Sequence, residues 1–195
     1  MPQPRPQSKP SRKSRADASN NRELLLDAAQ ELFLTQSTAA PLDLIATRAG
    51  VGRATLFRNF PDRQALLLAL LDRALDGLET EARELRDDPD ALLKLLRYCA
   101  ERIFSNGPLI EYWQAMDPQN PALQAAVARY IKVFSRPLRL AVATGRCRPD
   151  LRPPDILLLS SLLSSRAIKR AKNRKALAAR SWTLTLAAAG LKSND

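Results

Sequence analysis

The chain has 195 residues, 45% of them hydrophobic, and carries 31 Lys and Arg against 20 Asp and Glu, for a net charge of +11 and a pI near 10.3. That is enough apolar material for folded cores, and only 6 glycines among many Leu and Ala favour an all-α chain. No run of 18 or more uncharged apolar residues could cross a bilayer and no apolar stretch follows the N-terminal charges, so neither a membrane span nor a signal peptide is expected and the cytoplasm is the default.

The chemistry that composition leaves open is narrow. With no His in the chain, a Cys/His zinc site is excluded and the commonest general base is missing. Cys99 and Cys147 lie far apart in sequence and read as reduced packing residues rather than as a disulfide or a redox pair. No Ser-x-x-Lys, phosphate-binding glycine loop or carboxylate cluster appears, so no catalytic residue, metal or cofactor is expected. The basic balance points instead to an anionic partner, nucleic acid first.

Residues 1–19 are rich in Pro, Ser, Gln and base, with Arg5, Lys9, Arg12, Lys13 and Arg15 against Asp17. They have almost nothing apolar to bury and read as a disordered tail, either simply solvated or serving as an arm with extra phosphate or minor-groove contacts. Asn20 and Glu23 have capping-box spacing and predict a helix to about Thr35, whose Leu25, Ala28, Ala29, Leu32 and Phe33 form one buried stripe. Its Arg22 could touch a phosphate or join a surface ion pair.

Pro41 then opens a short helix in which Leu42, Ile45, Ala46 and Ala49 share an apolar face, and Gly50 follows where a helix ends in a left-handed turn. A second short helix, Arg53 to Phe60, turns Leu56 and Phe60 inward with Val51. Ala54, Thr55, Arg58 and Asn59 project outward, with Arg53 and Phe57 on the border. Two short helices about a tight turn make a helix-turn-helix. A small residue beside Arg at the front of the second helix allows close approach to a groove, where Arg can reach guanine O6 and N7.

The run Ile45-Ala46-x-x-Ala49-Gly50-Val51-x-x-Ala54-Thr55-Leu56-Phe57-x-x-Phe60-x-x-Arg63-x-x-Leu66 resembles the DNA-binding signature of the tetracycline-repressor-like (TetR/AcrR) family of bacterial transcription regulators. The helix before it fits too, in Arg22-Glu23-x-Leu25-Leu26-Asp27-Ala28-Ala29-x-x-Leu32-Phe33. The resemblance covers roughly the first third of the chain. It implies a three-helix DNA-binding domain over 20–64, followed by a helical ligand-binding and dimerisation domain over 65–192. The candidate DNA contacts are Leu42, Arg53, Ala54, Thr55, Phe57, Arg58, Asn59 and Arg63, with the Arg53 to Asn59 helix in the major groove. Three positions depart from the family: Gly52 stands where Ser or Thr is usual, Phe57 where Tyr is usual and Arg63 where Lys is usual. The first loses an N-cap side chain and the second a hydroxyl for a phosphate, whereas Arg63 keeps its charge.

Asp62 caps a long helix to about Arg86, which in the family joins the reading head to the regulatory part. Helices over Asp90 to Asn106, Leu109 to Met116 and Pro121 to about Thr144 follow, with Pro137 expected to kink or break the last. Gly145 to Pro154 is a loop. Asp155 to Lys172 and Arg174 to Leu191 are the last two helices, each apolar over more than one side, as a two-fold four-helix homodimer interface requires and the family resemblance implies. Between and within them Arg166, Lys169, Arg170, Lys172, Arg174, Lys175 and Arg180 form a basic run, read either as solvated helix ends or as a site for an acidic ligand or partner.

Regulation by a small-molecule effector is typical of the family. Tyr98, Cys99, Arg102, Trp113, Met116, Tyr130 and Phe134 are the candidate lining, since they mix apolar bulk with polar handles, although aromatics at helical spacing also suit a core. Arg102, if inward, would favour a carboxylate or other anion. The expected partners are therefore double-stranded DNA, a second copy of the chain and an unnamed effector, most often acting on a repressor at a pseudo-palindromic operator. A helix-turn-helix that docks a protein partner is the alternative, with a helical enzyme third.

Overall fold

A computed structural model of the chain describes the backbone over 12–164 and 172–191, and the side chains of those ranges from 19 onward. Among the described residues it is all helix: α1 (Arg12–Thr35), α2 (Leu42–Arg48), α3 (Arg53–Asn59), α4 (Arg63–Glu84), α5 (Ala91–Ser105), α6 (Gly107–Ala115), α7 (Pro121–Ala143), α8 (Asp155–Leu163) and α9 (Arg174–Ala189). They fall into two units, divided after Leu67.

In the first unit α1 packs on α2 and α3. Leu25, Ala29 and Phe33 of α1 meet Ile45 and Leu56, all of them fully buried, with Phe60 beside them. Each such Leu, Ile or Phe contributes about 1.5–3 kcal/mol of burial, enough to hold short helices that would not survive alone. The turn between α2 and α3 closes as the glycine predicts. Gly50 has φ +67°, its N–H donates to the Thr47 carbonyl at 3.2 Å, and the Val51 N–H donates to the Ala46 carbonyl at 3.0 Å. A side chain there would cost about 1–2 kcal/mol of left-handed strain.

Helix α1 begins at Arg12, well before the Asn20 start that the capping-box spacing predicts, so 12–19 is not the disordered tail expected of it. No Gly or Pro stands between Arg12 and Asn20 to stop the helix, and extending an existing helix is far easier than nucleating one. Residues 1–11 of the expected tail lie outside the described residues.

The second unit is built on α5. Leu92, Leu95 and Leu96 are buried against Phe134 and Leu138 of α7 and Ile156 and Leu159 of α8, and Leu186 of α9 joins the same core. Helix α7 runs unbroken through Pro137, which is itself buried. Flanked by Phe134, Leu138 and Ala141, it sits where packing outweighs the lost hydrogen bond. Asn120 caps α7 by accepting from the Ala122 and Leu123 N–H groups, and Asp62 caps α4 by accepting from the Ala65 N–H at 2.7 Å. Helix α8 ends at Leu163, and 165–171 lie outside the described residues, so the expected course to Lys172 and the Arg166, Lys169 and Arg170 part of the basic run do as well.

Candidate nucleic-acid interface and apolar cavity

Leu56 and Phe60 face into the first unit, which turns the opposite side of α3 to solvent. Arg53, Ala54, Phe57 and Arg58 are exposed there, and Thr55 and Asn59 are half-buried beside them. Arg53 reaches back to Asp43 of α2 at 3.3 Å, and its guanidinium lies 5.5 Å from the Phe57 ring centroid. Both members of that ion pair are more than half exposed, so it is worth at most about 1 kcal/mol and is easily given up for a stronger acceptor. Arg58 lies along its own helix, donating from Nη2 to Thr55 Oγ1 at 3.1 Å and from Nε to the Ala54 carbonyl at 3.3 Å.

The rest of the candidate set is less free. Asn59 Nδ2 donates to the Thr55 carbonyl at 2.8 Å, and Leu42 is half-buried at the start of α2. Arg63 donates from Nη1 to the Thr38 carbonyl at 2.6 Å, with its guanidinium 6.0 Å from the Phe33 ring, so it fastens the α1–α2 loop rather than standing open to a phosphate. Arg22 is set 4.6 Å over the Phe60 ring, where a phosphate contact or an ion pair had been expected. Leu44, 43% exposed on α2, was absent from the sequence reading; its place off the apolar face of that helix was the available signal. Gly52 precedes α3 without any side-chain cap, as its lack of a side chain dictates.

In the second unit, α4, α5, α6, α7 and α8 line an open cavity of about 430 Å³. Tyr98, Cys99, Arg102, Trp113, Met116 and Tyr130 line it together. Phe134 does not. It is fully buried in the core one turn beyond Tyr130, with the two rings 5.1 Å apart, because α5 and α8 close over that part of α7. The α4 wall of Leu71, Ala74, Leu75 and Leu78, and Ser160, Ser161 and Ser164 at α8, were not among the expected lining.

The polar groups in the wall satisfy one another. Tyr130 Oη and Ser160 Oγ share a hydrogen bond of 2.6 Å, and Gln114 Nε2 donates to Ser164 Oγ at 2.7 Å. Burial pushes the Cys99 thiol up to about 11 and carries the Tyr130 phenol well above its ordinary range, so both keep their protons at neutral pH. Burial also raises Tyr98, against the opposing effect of the Arg102 guanidinium that lies 4.2 Å from its ring centroid. Among the described residues no group of His, Cys, Asp and Glu could hold a metal ion. No helix among them is long and apolar enough to cross a membrane.

Four similarities to known proteins agree with this geometry. Residues 25–70, which span α1 to α4 and include both helices of the turn, match the model of bacterial regulatory proteins of the tetR family. An HTH-type transcriptional regulator of Staphylococcus aureus (strain USA300) is 32% identical over 75 residues, covering 38% of this chain and 40% of that protein; the chain thus matches about two fifths of the length of such curated relatives. The TetR transcription regulatory protein from Mycobacterium vanbaalenii is similar over most of its length, with 29% identity, 80% of this chain and 94% of that one covered, and a TM-score of 0.61. SmeT, the repressor of the Stenotrophomonas maltophilia multidrug efflux pump SmeDEF, shares the fold at 21% identity, with 90% and 94% of the two chains covered and a TM-score of 0.60. Residues 25–70, which hold the helix-turn-helix, are thus similar to bacterial regulatory proteins of the tetR family, and the helical second unit is shared with the tetR-family structure from Mycobacterium vanbaalenii.

Proposed function

We propose that the protein is a dimeric transcriptional repressor that binds a pseudo-palindromic operator and releases it when a small molecule fills the cavity of the second unit. The observation that carries this reading is the exposed face of α3. Two arginines, a small Ala54 and an aromatic stand on a short helix held from behind by Leu56 and Phe60, the arrangement a major groove accepts. In this reading Arg53 and Arg58 take base edges or phosphates, Thr55 and Asn59 take a phosphate or base edge, and Phe57 packs on a sugar or thymine methyl. Ala54 allows the approach, and Leu42 and Arg63 lie at the flanks.

Dimerisation is supported by a second surface. Leu158 is 67% exposed and Leu162 49% on α8, Leu184 is 50% exposed on α9, and the two helices pack together, with Ser181 Oγ donating to the Leu162 carbonyl at 2.8 Å. A second copy laid on the same face would make a four-helix interface and present α3 twice, to half-sites about one helical turn apart. A regulator of the bacterial chromosome would work in the cytoplasm.

Selection of bound fragments from the source genome tests the reading. Recovery of a short inverted repeat, bound in a salt-sensitive manner, is the expected result. Failure to retain any genomic fragment at low salt would overturn it, and capture of a protein on the Arg53 to Asn59 face in place of DNA would favour the docking alternative.

A further inference from the structure

We infer that the cavity of the second unit takes an apolar mono-anion, with its carboxylate held by Arg102 at the mouth and its hydrocarbon body among the α4, α6 and α7 side chains. This rests on the reading of the cavity as an effector site and names the chemical class of the effector.

The wall decides the body of the ligand. Leu71, Leu75, Leu78, Ile110, Leu123 and Val127 supply apolar surface from three helices, which a hydrocarbon body would cover in place of water. The interior polar groups make no demand on a ligand. Tyr130 and Ser160 serve each other, so a polar atom placed beside them would lose its water without gaining a free partner.

Charge decides the head group. Among the described residues no Asp or Glu lines the cavity, and Arg102 is the one cation that does. Arg102 is exposed as well as lining, which places it at the opening, and among the described residues it stands in no ion pair. Glu81 of α4 acts on Tyr98 but forms no ion pair with Arg102. The guanidinium is positioned by what lies beneath it. It stacks on the Tyr98 ring at 4.2 Å, and a Cβ on Gly77 would come within 2.9 Å of the Tyr98 hydroxyl, so a side chain at 77 would make the Tyr98 hydroxyl shift. Gly77 in the middle of a long helix is otherwise unfavourable. A planar fork fixed on an aromatic ring matches a carboxylate with two parallel hydrogen bonds. A cationic ligand would meet Arg102 with no acid to offset the repulsion.

The test uses the full chain and the neutral fluorophore N-phenyl-1-naphthylamine, whose emission rises in apolar surroundings, with decanoate, 1-decanol and decylammonium as competitors at pH 7. Decanoate is expected to displace the dye about tenfold more effectively than the alcohol, the size of one charge-assisted hydrogen bond, and decylammonium least of all. Arg102→Gln should remove that advantage, while Val127→Trp, which fills the cavity, should abolish dye binding. Equal displacement by all three competitors, or an Arg102→Gln protein that keeps the preference for decanoate, overturns the inference and leaves the effector site standing. If the dye fails to bind, or binds Val127→Trp as well as wild type, and no competitor shifts the melting temperature, the effector reading falls with it.

Discussion

Arg53 and Asp43 face each other at 3.3 Å in solvent, an arrangement cheap to form and cheap to break. A guanine edge offers Arg53 two acceptors where Asp43 offers a screened pair. Arg53→Ala should therefore weaken operator binding by about 1–3 kcal/mol and relax specificity at one base pair, measured by fluorescence anisotropy against operator and random DNA. Equal losses on the two would assign Arg53 to phosphate. Cys99 invites the opposite expectation. With burial holding its thiol at about 11, it should react with iodoacetamide at pH 8 far more slowly in the native protein than in denaturant, followed by mass spectrometry, and rapid native labelling would contradict the burial. At this scale the outward set of α3 was legible because i to i+4 spacing fixes the face. The tether of Asn59 was not, since a side-chain amide that can turn back on its own helix leaves no mark in periodicity. Nor could spacing separate Tyr130 from Phe134, which share one face of α7 and differ only in which neighbouring helices reach them.

Among the helices, the boundaries set by Gly, Pro and Asp were readable, and those without such a mark were not. Gly50, Asp62 and Pro121 end or begin helices where their chemistry requires, whereas α1 runs past Asn20 because nothing there obliges it to stop, and α9 ends at Ala189 with Gly190 in a left-handed turn rather than reaching the expected Leu191. Ion pairs between helices were beyond sequence reading altogether. Arg129 of α7 draws together Asp72, Asp76 and Glu79 of α4, with Nε 2.5 Å from Glu79 Oε1, on two helices that face each other across the cavity. The hydrogen bond from Arg129 holds the Glu79 carboxyl below its ordinary range. A carboxylate with a lowered folded value adds stability above the ordinary Glu range, and that share is lost as pH falls through the folded value. Arg129→Gln should therefore cost about 1 kcal/mol or less at neutral pH, as part-exposed pairs do, and flatten the acid limb of the stability curve measured by urea unfolding between pH 6 and pH 3. An unchanged acid limb would show that the cluster adds nothing.

For the molecule as a whole, the apolar outer face of α8 and α9 is what a solitary subunit would not keep. If the proposed dimer forms on this face, Leu158→Glu with Leu184→Glu should give a monomer by light scattering at micromolar concentration, and weaken operator binding much more than one subunit's contacts would account for, since both half-sites must be held together. Unchanged mass would place the interface elsewhere. The net charge of +11 supports DNA binding in general, but its excess lies in residues 1–19 and in the basic run from 166 to 180, so it would not have pointed to α3 without the helix-turn-helix pattern.

The hollow behind α5 carries a further implication. Side chains such as Leu75 and Val127 have no packed neighbours on the cavity side, and a guest molecule would supply that missing contact to the folded form alone. The saturated regulator should then outlast the bare one in a thermolysin digest. In the cell, the signal that frees the promoter would at the same time lengthen the life of the protein that reads it.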